Sequence, residues 1–365
     1  MSRRSGYCII SPSTKPNTAA KSVKSSVGEN SMEEKIRNRF NDAILAEARQ
    51  RYAIAADNIE ELGGFESFIY GFEKDGAKYV LRLGHSLRRS PDLIRGEVDW
   101  INHLARGGAG VAGAVNSAAG NLVELIDDGQ GEHFLATAFA WANGGPVWQN
   151  GGWTEPFMLN YGRLIGKMHA LTKQYSLPDA AWQRPSWNDP IMTDTTSALP
   201  QLDPTAMALN TANLAYLRSL PTPADAFGLI HQDAHTGNLF VDENCQITLF
   251  DFDDCVYGHF IYDIAMVVFY AITNHPEPVE FCTRFWPLFW QGYCEENRLD
   301  PVWLKEILPF MKLREIDLYG VIRRDIPDLS GDGWAASFMR GRREIIHAER
   351  PYIDFDFTQV TAHEA

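Results

Sequence analysis

Strand patterns of hydrophobic and polar residues recur between residues 66 and 140, and they predict an antiparallel sheet. Helical spacing of apolar residues precedes this sheet at residues 31–52 and interrupts it at residues 92–106. An Asp-Gly pair at residues 75–76, between two strand patterns, is typical of a hairpin turn. The predicted strands cover residues 66–73, 78–83, 121–127 and 133–140. The order is therefore helix, two strands, helix and two strands.

A stretch rich in Gly, Asn and Pro at residues 141–152 separates this part from a second part with helical periodicity. A loop rich in Pro, Trp and Asp at residues 177–204 interrupts the second part. The predicted helices cover residues 155–174, 206–220, 262–273, 279–296 and 301–324. We therefore expect an N-terminal lobe at residues 31–140, a linker at 141–152 and a mainly helical C-terminal lobe at 153–365.

Composition is that of a folded globular protein, because 45% of the 365 residues are hydrophobic and 22% are charged. The formal net charge of −14 disfavours binding to nucleic acid or anionic lipid and favours a cationic substrate. No apolar run approaches the roughly 18 residues of a membrane span. Residues 1–30 lack the apolar core of a signal peptide and are expected to be a disordered tail. The 5 cysteines, without C-x-x-C pairing, indicate reduced thiols in a cytoplasmic protein.

The residues that carry chemistry are concentrated in one segment of the C-terminal lobe. His231 and Asp233 are followed by Asn238, in the H-x-D-x-x-x-x-N spacing of kinase catalytic loops. Two short strand patterns come next, and a hairpin between them is expected to bring Asp251 back beside Asn238.

Phosphoryl transfer explains why these residue types are needed. A divalent cation bridges the phosphates and requires hard oxygen ligands, which the Asn238 amide and the Asp251 carboxylate supply. Asp233 is then placed to orient an acceptor hydroxyl and to accept its proton as general base. A metal cluster of His231, Asp233 and His235 is the alternative, but it leaves Asn238 and Asp251 unexplained.

The segments LIHQDAHTGN, LFDFDD and YDIA resemble the aminoglycoside phosphotransferase and choline kinase family, in particular its homoserine-kinase-like and stress-kinase branch. The resemblance implies a two-lobed α+β protein-kinase-like fold, with an antiparallel sheet and one helix in the N-terminal lobe. It also implies that Asp233 is the base and that Asn238 and Asp251 bind Mg²⁺. Asp263 is expected to brace the catalytic loop. Gln232 departs from the family pattern, because many relatives have Gly there.

The nucleotide is expected between the lobes, covered by a glycine-containing turn that lacks the G-x-G-x-x-G pattern. Arg82 occupies the third-strand position where kinases have a phosphate-binding Lys, and Glu97 is its predicted ion-pair partner. Adenine is expected against the backbone near residues 139–142. The predicted nucleotide-site residues are Gly63, Gly64, Ser67, Arg82, Glu97, Phe139 and Trp141.

The predicted substrate contacts are His235 and Asp253, which flank the catalytic residues in the sequence. His231 is expected to pack behind the metal site. His169 is interpreted as a buried core histidine. The aromatic residues at 281–293 are interpreted as core, with an acceptor pocket for a cationic amine as the alternative.

The resemblance implies Mg²⁺-dependent transfer of the γ-phosphoryl group of ATP, or of GTP, to a hydroxyl group of a small metabolite or antibiotic. A cationic small molecule is the favoured partner, and neither nucleic acid nor a membrane is expected. A Ser/Thr protein kinase of the same fold and a catalytically silent nucleotide-binding module are the alternatives. Several acceptor classes share this catalytic loop, so the identity of the acceptor stays open.

Overall fold

The computed structural model describes residues 34–359 except residue 65, residues 190–198 and residue 327. The predicted tail at residues 1–30, the first residues of the helix predicted at 31–52, and Cys8 lie outside the described residues.

The N-terminal lobe is built on an antiparallel sheet with the strand order β1-β2-β3-β6-β4, and β5 also pairs with β6. Its strands are β1 (Ile59–Gly63), β2 (Phe68–Lys74), β3 (Ala77–His85), β4 (Ala114–Val115), β5 (Glu124–Asp127) and β6 (His133–Ala140). The antiparallel sheet and the helices packed beside it confirm the predicted α+β class.

Local sequence accounts for the central hairpin of this sheet. Asp75 and Gly76 have φ angles of 53° and 78°, the left-handed conformation that a two-residue turn requires and that Asp and Gly tolerate best. Alternate residues of the two strands, such as Phe72 and Leu81, are buried in the core of the lobe. The Asp-Gly pattern therefore identifies both the turn and the strand register.

Helices make up most of the C-terminal lobe, as predicted. The helices of the described chain are α1 (Glu34–Arg37), α2 (Asp42–Tyr52), α3 (Pro91–Arg106), α4 (Glu155–Thr172), α5 (Leu199–Leu202), α6 (Pro204–Arg218), α7 (Phe260–Ile272), α8 (Pro278–Glu296), α9 (Ile307–Asp325), α10 (Trp334–Met339) and α11 (Arg342–His347). Nearly every side chain of α7 is buried, and the aromatic residues of α8 pack around it in the same core.

Two small antiparallel strand pairs carry the catalytic segment. Strand β7 (Phe227–Ile230) pairs with β10 (Val256–His259), and β8 (Leu239–Val241) pairs with β9 (Ile247–Leu249). The linker between the lobes contacts the second pair, because Gly145 exchanges two backbone hydrogen bonds with Val241, at 3.1 and 2.8 Å. This contact holds the linker against the hairpin that follows the catalytic loop.

Two predicted helices are each divided in the structure. The helix predicted at residues 31–52 is interrupted at Asn41, whose side chain accepts hydrogen bonds from the backbone of Ala43 and Ile44 and so begins α2. The helix predicted at residues 301–324 begins with a 3₁₀ turn at Pro301–Glu306, and the α-helical part is α9. The capping side chain of Asn41, which apolar spacing does not register, explains the first difference.

In the described part of the chain, none of the helices is both long enough and apolar enough to cross a membrane.

We expect Gly162→Ala to lower the melting temperature by at least about 3 °C, because it overpacks the contact between α4 and α8. A Cβ atom at Gly162 would overlap the backbone carbonyl oxygen of Phe289, which cannot move without displacing the helix. Gly333→Ala is the matched control, since a Cβ at Gly333 has no atom within 4 Å. Thermal unfolding of the two variants checks the prediction, and equal melting temperatures would contradict it.

Candidate active site

The catalytic loop follows strand β7, and the carboxylate of Asp263 on α7 holds it through hydrogen bonds to its backbone. One carboxylate oxygen of Asp263 accepts the backbone N–H of His231 at 2.9 Å, and the other accepts that of Gln232 at 2.6 Å. Gln232 has a φ angle of 69°, a conformation that favours glycine and that costs a glutamine about 1 kcal/mol or more. The Asp263 hydrogen bonds compensate for this strain and hold Gln232 in the left-handed conformation.

Asp233 lies in the middle of this loop with three polar groups around its carboxylate. His235 Nε2 is 3.3 Å from one oxygen, Arg314 Nη2 is 3.4 Å from the other, and Asn238 Nδ2 is 3.4 Å from the oxygen that faces His235. Asn238 Nδ2 also donates to the Asp233 backbone carbonyl oxygen at 3.0 Å. Burial acts to raise the pKa of Asp233, but His235 and Arg314 outweigh it and hold this pKa well below its usual range. Asp233 is therefore ionised at physiological pH, as a proton acceptor must be.

The hairpin β8–β9 brings Asn238 and Asp251 to the same place, as expected. The backbone N–H of Phe250 donates to the carbonyl oxygen of Asn238 at 2.9 Å, so Asp251 leaves the hairpin next to Asn238. His231 lies behind it, with Nε2 at 3.1 Å from the Phe250 carbonyl oxygen.

Asn238 and Asp251 fit a divalent cation by their donor atoms. Asn238 uses its side-chain amide nitrogen toward Asp233, and its side-chain carbonyl oxygen accepts no hydrogen bond among the described residues. Asp251 faces the cleft, where restricted solvation and the nearby carboxylate of Asp253 raise its pKa to about 7. Two hard oxygen donors in a negative environment match the preference of Mg²⁺ or Ca²⁺.

A cavity of about 520 Å³ lies between the lobes, next to these residues. Its walls are mainly apolar, with Val80 and Ile69 from the sheet and Phe240 and Phe250 from the hairpin. Predicted nucleotide-site residues line it as follows: Gly64, Ser67, Arg82, Glu97, Phe139 and Trp141. Asp233 and Asp251 lie at the same cavity, so one space reaches from the linker to the proposed base.

The predicted pair of Arg82 and Glu97 is present and bidentate. The two terminal nitrogens of Arg82 donate to the two oxygens of Glu97, at 2.7 and 2.8 Å, and Nε donates to Thr137 at 3.2 Å. Glu97 is fully buried and Arg82 is 8% exposed, so the pair is protected from water. Burial opposes the charge of Arg82, but Glu97 outweighs it and raises the pKa of Arg82. Arg at this position therefore retains the link between strand and helix.

The glycine-containing turn is narrower than predicted, because Gly63 already belongs to β1. Gly63 has a φ angle of 88° and is not among the residues that line the cavity. A Cβ atom at Gly64 would overlap the backbone carbonyl oxygen of Ser67, so this position requires glycine. The part of the turn that faces the cavity therefore starts at Gly64.

Asp253, predicted to contact the substrate, lines the cavity and faces arginines of the N-terminal lobe. It forms an ion pair with Arg88, lies 3.5 Å from Arg89 and lies 4.0 Å from Arg82. Burial acts to raise the pKa of Asp253, but these guanidinium groups hold it far below its usual range. His235, the other predicted substrate contact, lies against Asp233 and packs on the ring of Tyr270.

The structure does not assemble the alternative metal cluster of His231, Asp233 and His235. His231 Nε2 faces a backbone carbonyl, and His235 faces Asp233. No group of three or more metal-ligating His, Cys, Asp or Glu side chains occurs within the described ranges. His169 is a core histidine as interpreted, fully buried between the Tyr293 hydroxyl at 3.0 Å and Asp263 at 3.3 Å.

Sequence reasoning missed the arginines that neutralise this site. Arg314 on α9 reaches the catalytic loop from 81 residues away, and Arg88 and Arg89 reach Asp253 and Asp254 from 165 residues away. The adjacent arginines Arg88 and Arg89, which follow β3 directly, were the sequence feature that could have indicated partners for these carboxylates. A single arginine within a long helix, such as Arg314, carries no such signal.

The two-lobed fold and the catalytic loop after β7 place the chain in the class of kinase-like phosphotransferases. The sequence profile of the phosphotransferase enzyme family matches residues 58–305, more than half of the chain. The chain belongs to this family and is an enzyme that transfers phosphoryl groups.

Individual relatives support the same assignment. The chain is 35% identical over 322 residues to amicoumacin kinase of Bacillus subtilis (strain 168), covering 87% of this chain and 95% of the relative. A solved structure of amicoumacin kinase hAmiN in complex with AMP-PNP, Ca²⁺ and Ami is 31% identical, with a TM-score of 0.84, covering 90% of this chain and 100% of that one. A microcompartment-associated aminopropanol kinase, at 21% identity and a TM-score of 0.63 over 85% of this chain and 98% of that one, shares the fold.

We expect Glu97→Gln to lower the free energy of unfolding by about 3 kcal/mol, because it leaves the buried Arg82 guanidinium without its counter-charge. Asp92→Asn is the matched control on the same helix, where Asp92 forms an exposed pair with Arg95. That substitution is expected to cost less than about 1 kcal/mol. Urea denaturation of both variants checks the prediction. Similar losses of unfolding free energy in the two variants would show that burial of the Arg82–Glu97 pair does not increase its contribution to stability.

Proposed function

We propose that this enzyme transfers the γ-phosphoryl group of ATP to a hydroxyl group of a small molecule, with Mg²⁺ as the divalent cation. The observation that carries the proposal is the position of Asp233. Its ionised carboxylate lies at the cavity between the lobes, with Asn238 and Asp251 as oxygen donors beside it.

Each residue then has one role. Asp233 orients the acceptor hydroxyl and accepts its proton, and His235 and Arg314 keep the carboxylate ionised. Asn238 and Asp251 would hold the cation, which offsets the negative charge of the phosphates during transfer. Gly64 and Ser67 lie over the phosphates, and the apolar walls of the cavity receive the adenine.

The related amicoumacin kinase complex supports these assignments, because it contains the ATP analogue AMP-PNP and Ca²⁺. The amicoumacin kinases also favour a small-molecule acceptor such as an antibiotic over a protein acceptor. The intact pair of Arg82 and Glu97 supports an active enzyme rather than a silent binding module.

We also propose that the protein works in the cytoplasm. Cys245, Cys255, Cys282 and Cys294 are free thiols in the structure. Burial raises the pKa of Cys255 and of Cys282 to about 12, which keeps both as unreactive thiols. This supports a reducing compartment.

We expect Asp233→Asn to reduce phosphoryl transfer at least about 100-fold while nucleotide binding survives, because the amide cannot accept the proton. Transfer is measured by ADP release with amicoumacin and with small amino alcohols as acceptors, and binding is measured by titration with AMP-PNP. Asp92→Asn, an acid-to-amide change outside the cavity, is the control. Equal loss of binding and transfer would argue against Asp233 as the base.

Asp317 is a buried carboxylate on the same helix as Arg314, which contacts the Asp233 carboxylate. Asp317 lies three residues after Arg314 on α9, so both face the same side of the helix. Its carboxylate is 9% exposed and has no hydrogen bond or ion pair among the described residues. Burial outweighs the opposing effect of Arg314 and raises the pKa of Asp317 to about 7. An ammonium group on the acceptor would compensate for this buried charge, so we propose that Asp317 binds an amine of the substrate.

We expect Asp317→Asn to raise KM for amine-bearing acceptors at least about tenfold, while KM for alcohols without an amine changes little. The pH dependence has a defined sign, because Asp317 is ionised only above about pH 7. KM for amines should therefore fall as the pH rises through 7 in the native enzyme and not in the variant. A uniform increase of KM for both kinds of acceptor would contradict this role.

A further inference from the structure

The phosphate-binding function expected of Arg82 is limited by its own contacts. A guanidinium group has five N–H donors, and Arg82 uses three of them toward Glu97 and Thr137. Its group also lies 5.0 Å from the centre of the Phe139 ring. Arg82 is therefore held by the sheet and by α3, with little freedom to follow a phosphate chain.

The cavity has a strong excess of negative charge. Its described lining residues include six acids and two arginines, Arg82 and Arg88. The acids are Glu66, Glu97, Asp233, Asp251, Asp253 and Asp254. A nucleoside triphosphate is itself a polyanion, so it needs cationic partners beyond one divalent ion and a guanidinium already paired with Glu97.

Arg88 is the cavity arginine that is not fixed to α3. It follows β3 in the chain and reaches into the cavity, where its terminal nitrogens form ion pairs with Glu66 and Asp253. Glu66 lies in the turn between β1 and β2, one residue before Ser67. Arg88 therefore spans the space between the turn that covers the phosphates and the end of the proposed metal site.

We propose that Arg88 binds the phosphate chain of the nucleotide, and that Glu66 occupies its guanidinium group until a phosphate replaces it. The inference rests on the proposed nucleotide-dependent function. A phosphate has the same bidentate oxygen geometry as the Glu66 carboxylate and carries more charge, so it competes well for the same nitrogens. Asp253 keeps its contact with Arg88 and fixes the direction of the side chain. This explains why Asp253 faces arginines of the N-terminal lobe.

The structure supplies a matched control in the adjacent arginine. Arg89 has a similar environment, with Asp254 at 2.7 Å and Asp253 at 3.5 Å, but it is not among the residues that line the cavity. If both arginines only join the lobes, their removal should have the same consequence. If Arg88 binds phosphate, only its removal should change nucleotide affinity according to phosphate number.

The experiment compares the binding of adenosine, ADP and ATP, each with Mg²⁺, to the full chain by calorimetric titration. For Arg88→Gln we expect adenosine affinity within about twofold of the native enzyme and ATP affinity at least about tenfold weaker, with ADP between them. For Arg89→Gln we expect the native preference for ATP over adenosine to be retained. For Glu66→Gln, which releases Arg88, we expect ATP to bind severalfold more tightly.

The results separate this inference from the proposed function. If the native enzyme binds ATP no better than adenosine, the proposed function itself fails. If the native enzyme prefers ATP and Arg88→Gln retains that preference, or if Arg89→Gln loses it equally, only the role of Arg88 is overturned. Should Arg88→Gln fail to fold, Arg88→Lys keeps the charge without the bidentate geometry and is expected to lose part of the preference for ATP.

Discussion

The hydrogen bonds from the catalytic loop to Asp263 are the constraint on which the active site depends. A fully buried carboxylate is stable only when its oxygens are satisfied, and here two backbone N–H groups and His169 satisfy them. The same hydrogen bonds hold the loop in a conformation in which Gln232 has a left-handed backbone. That conformation turns the Gln232 carbonyl toward Arg314, at 2.8 Å, and places Asp233 at the cavity. The core of the C-terminal lobe thereby determines where the proposed base lies.

Charge is organised around this loop in two groups. Asp233 is paired with His235 and Arg314 from the C-terminal lobe, whereas Asp253 and Asp254 are paired with arginines of the N-terminal lobe. Asp251 lies between the groups and, in the described structure, forms no ion pair, which leaves it to a cation. The distribution separates the proposed proton acceptor from the proposed metal ligand, although all of these acids occur within 22 residues of one another.

Predictions from the sequence succeeded where a contact joins residues that are close to one another in the chain. The Asp-Gly turn, the hairpin that returns Asp251 to Asn238 and the pair of Arg82 and Glu97 each follow from residues close in the chain. The ion-pair partners of single side chains could not be predicted in this way. Nothing in the segment around Asp253 indicates that Arg88 and Arg89 reach it across the cleft.

The sequence by itself determined the fold class, the catalytic loop and the residues of the proposed metal site, since hydrophobic periodicity and local motifs act over a few residues. Only the tertiary structure decided which charges are compensated. The partner of each carboxylate comes from a distant segment, and its protonation depends on how much water the packed lobes exclude. For this reason the pKa values of Asp233 and Asp253 are lowered and that of Asp251 is raised, although they are the same residue type within one short segment.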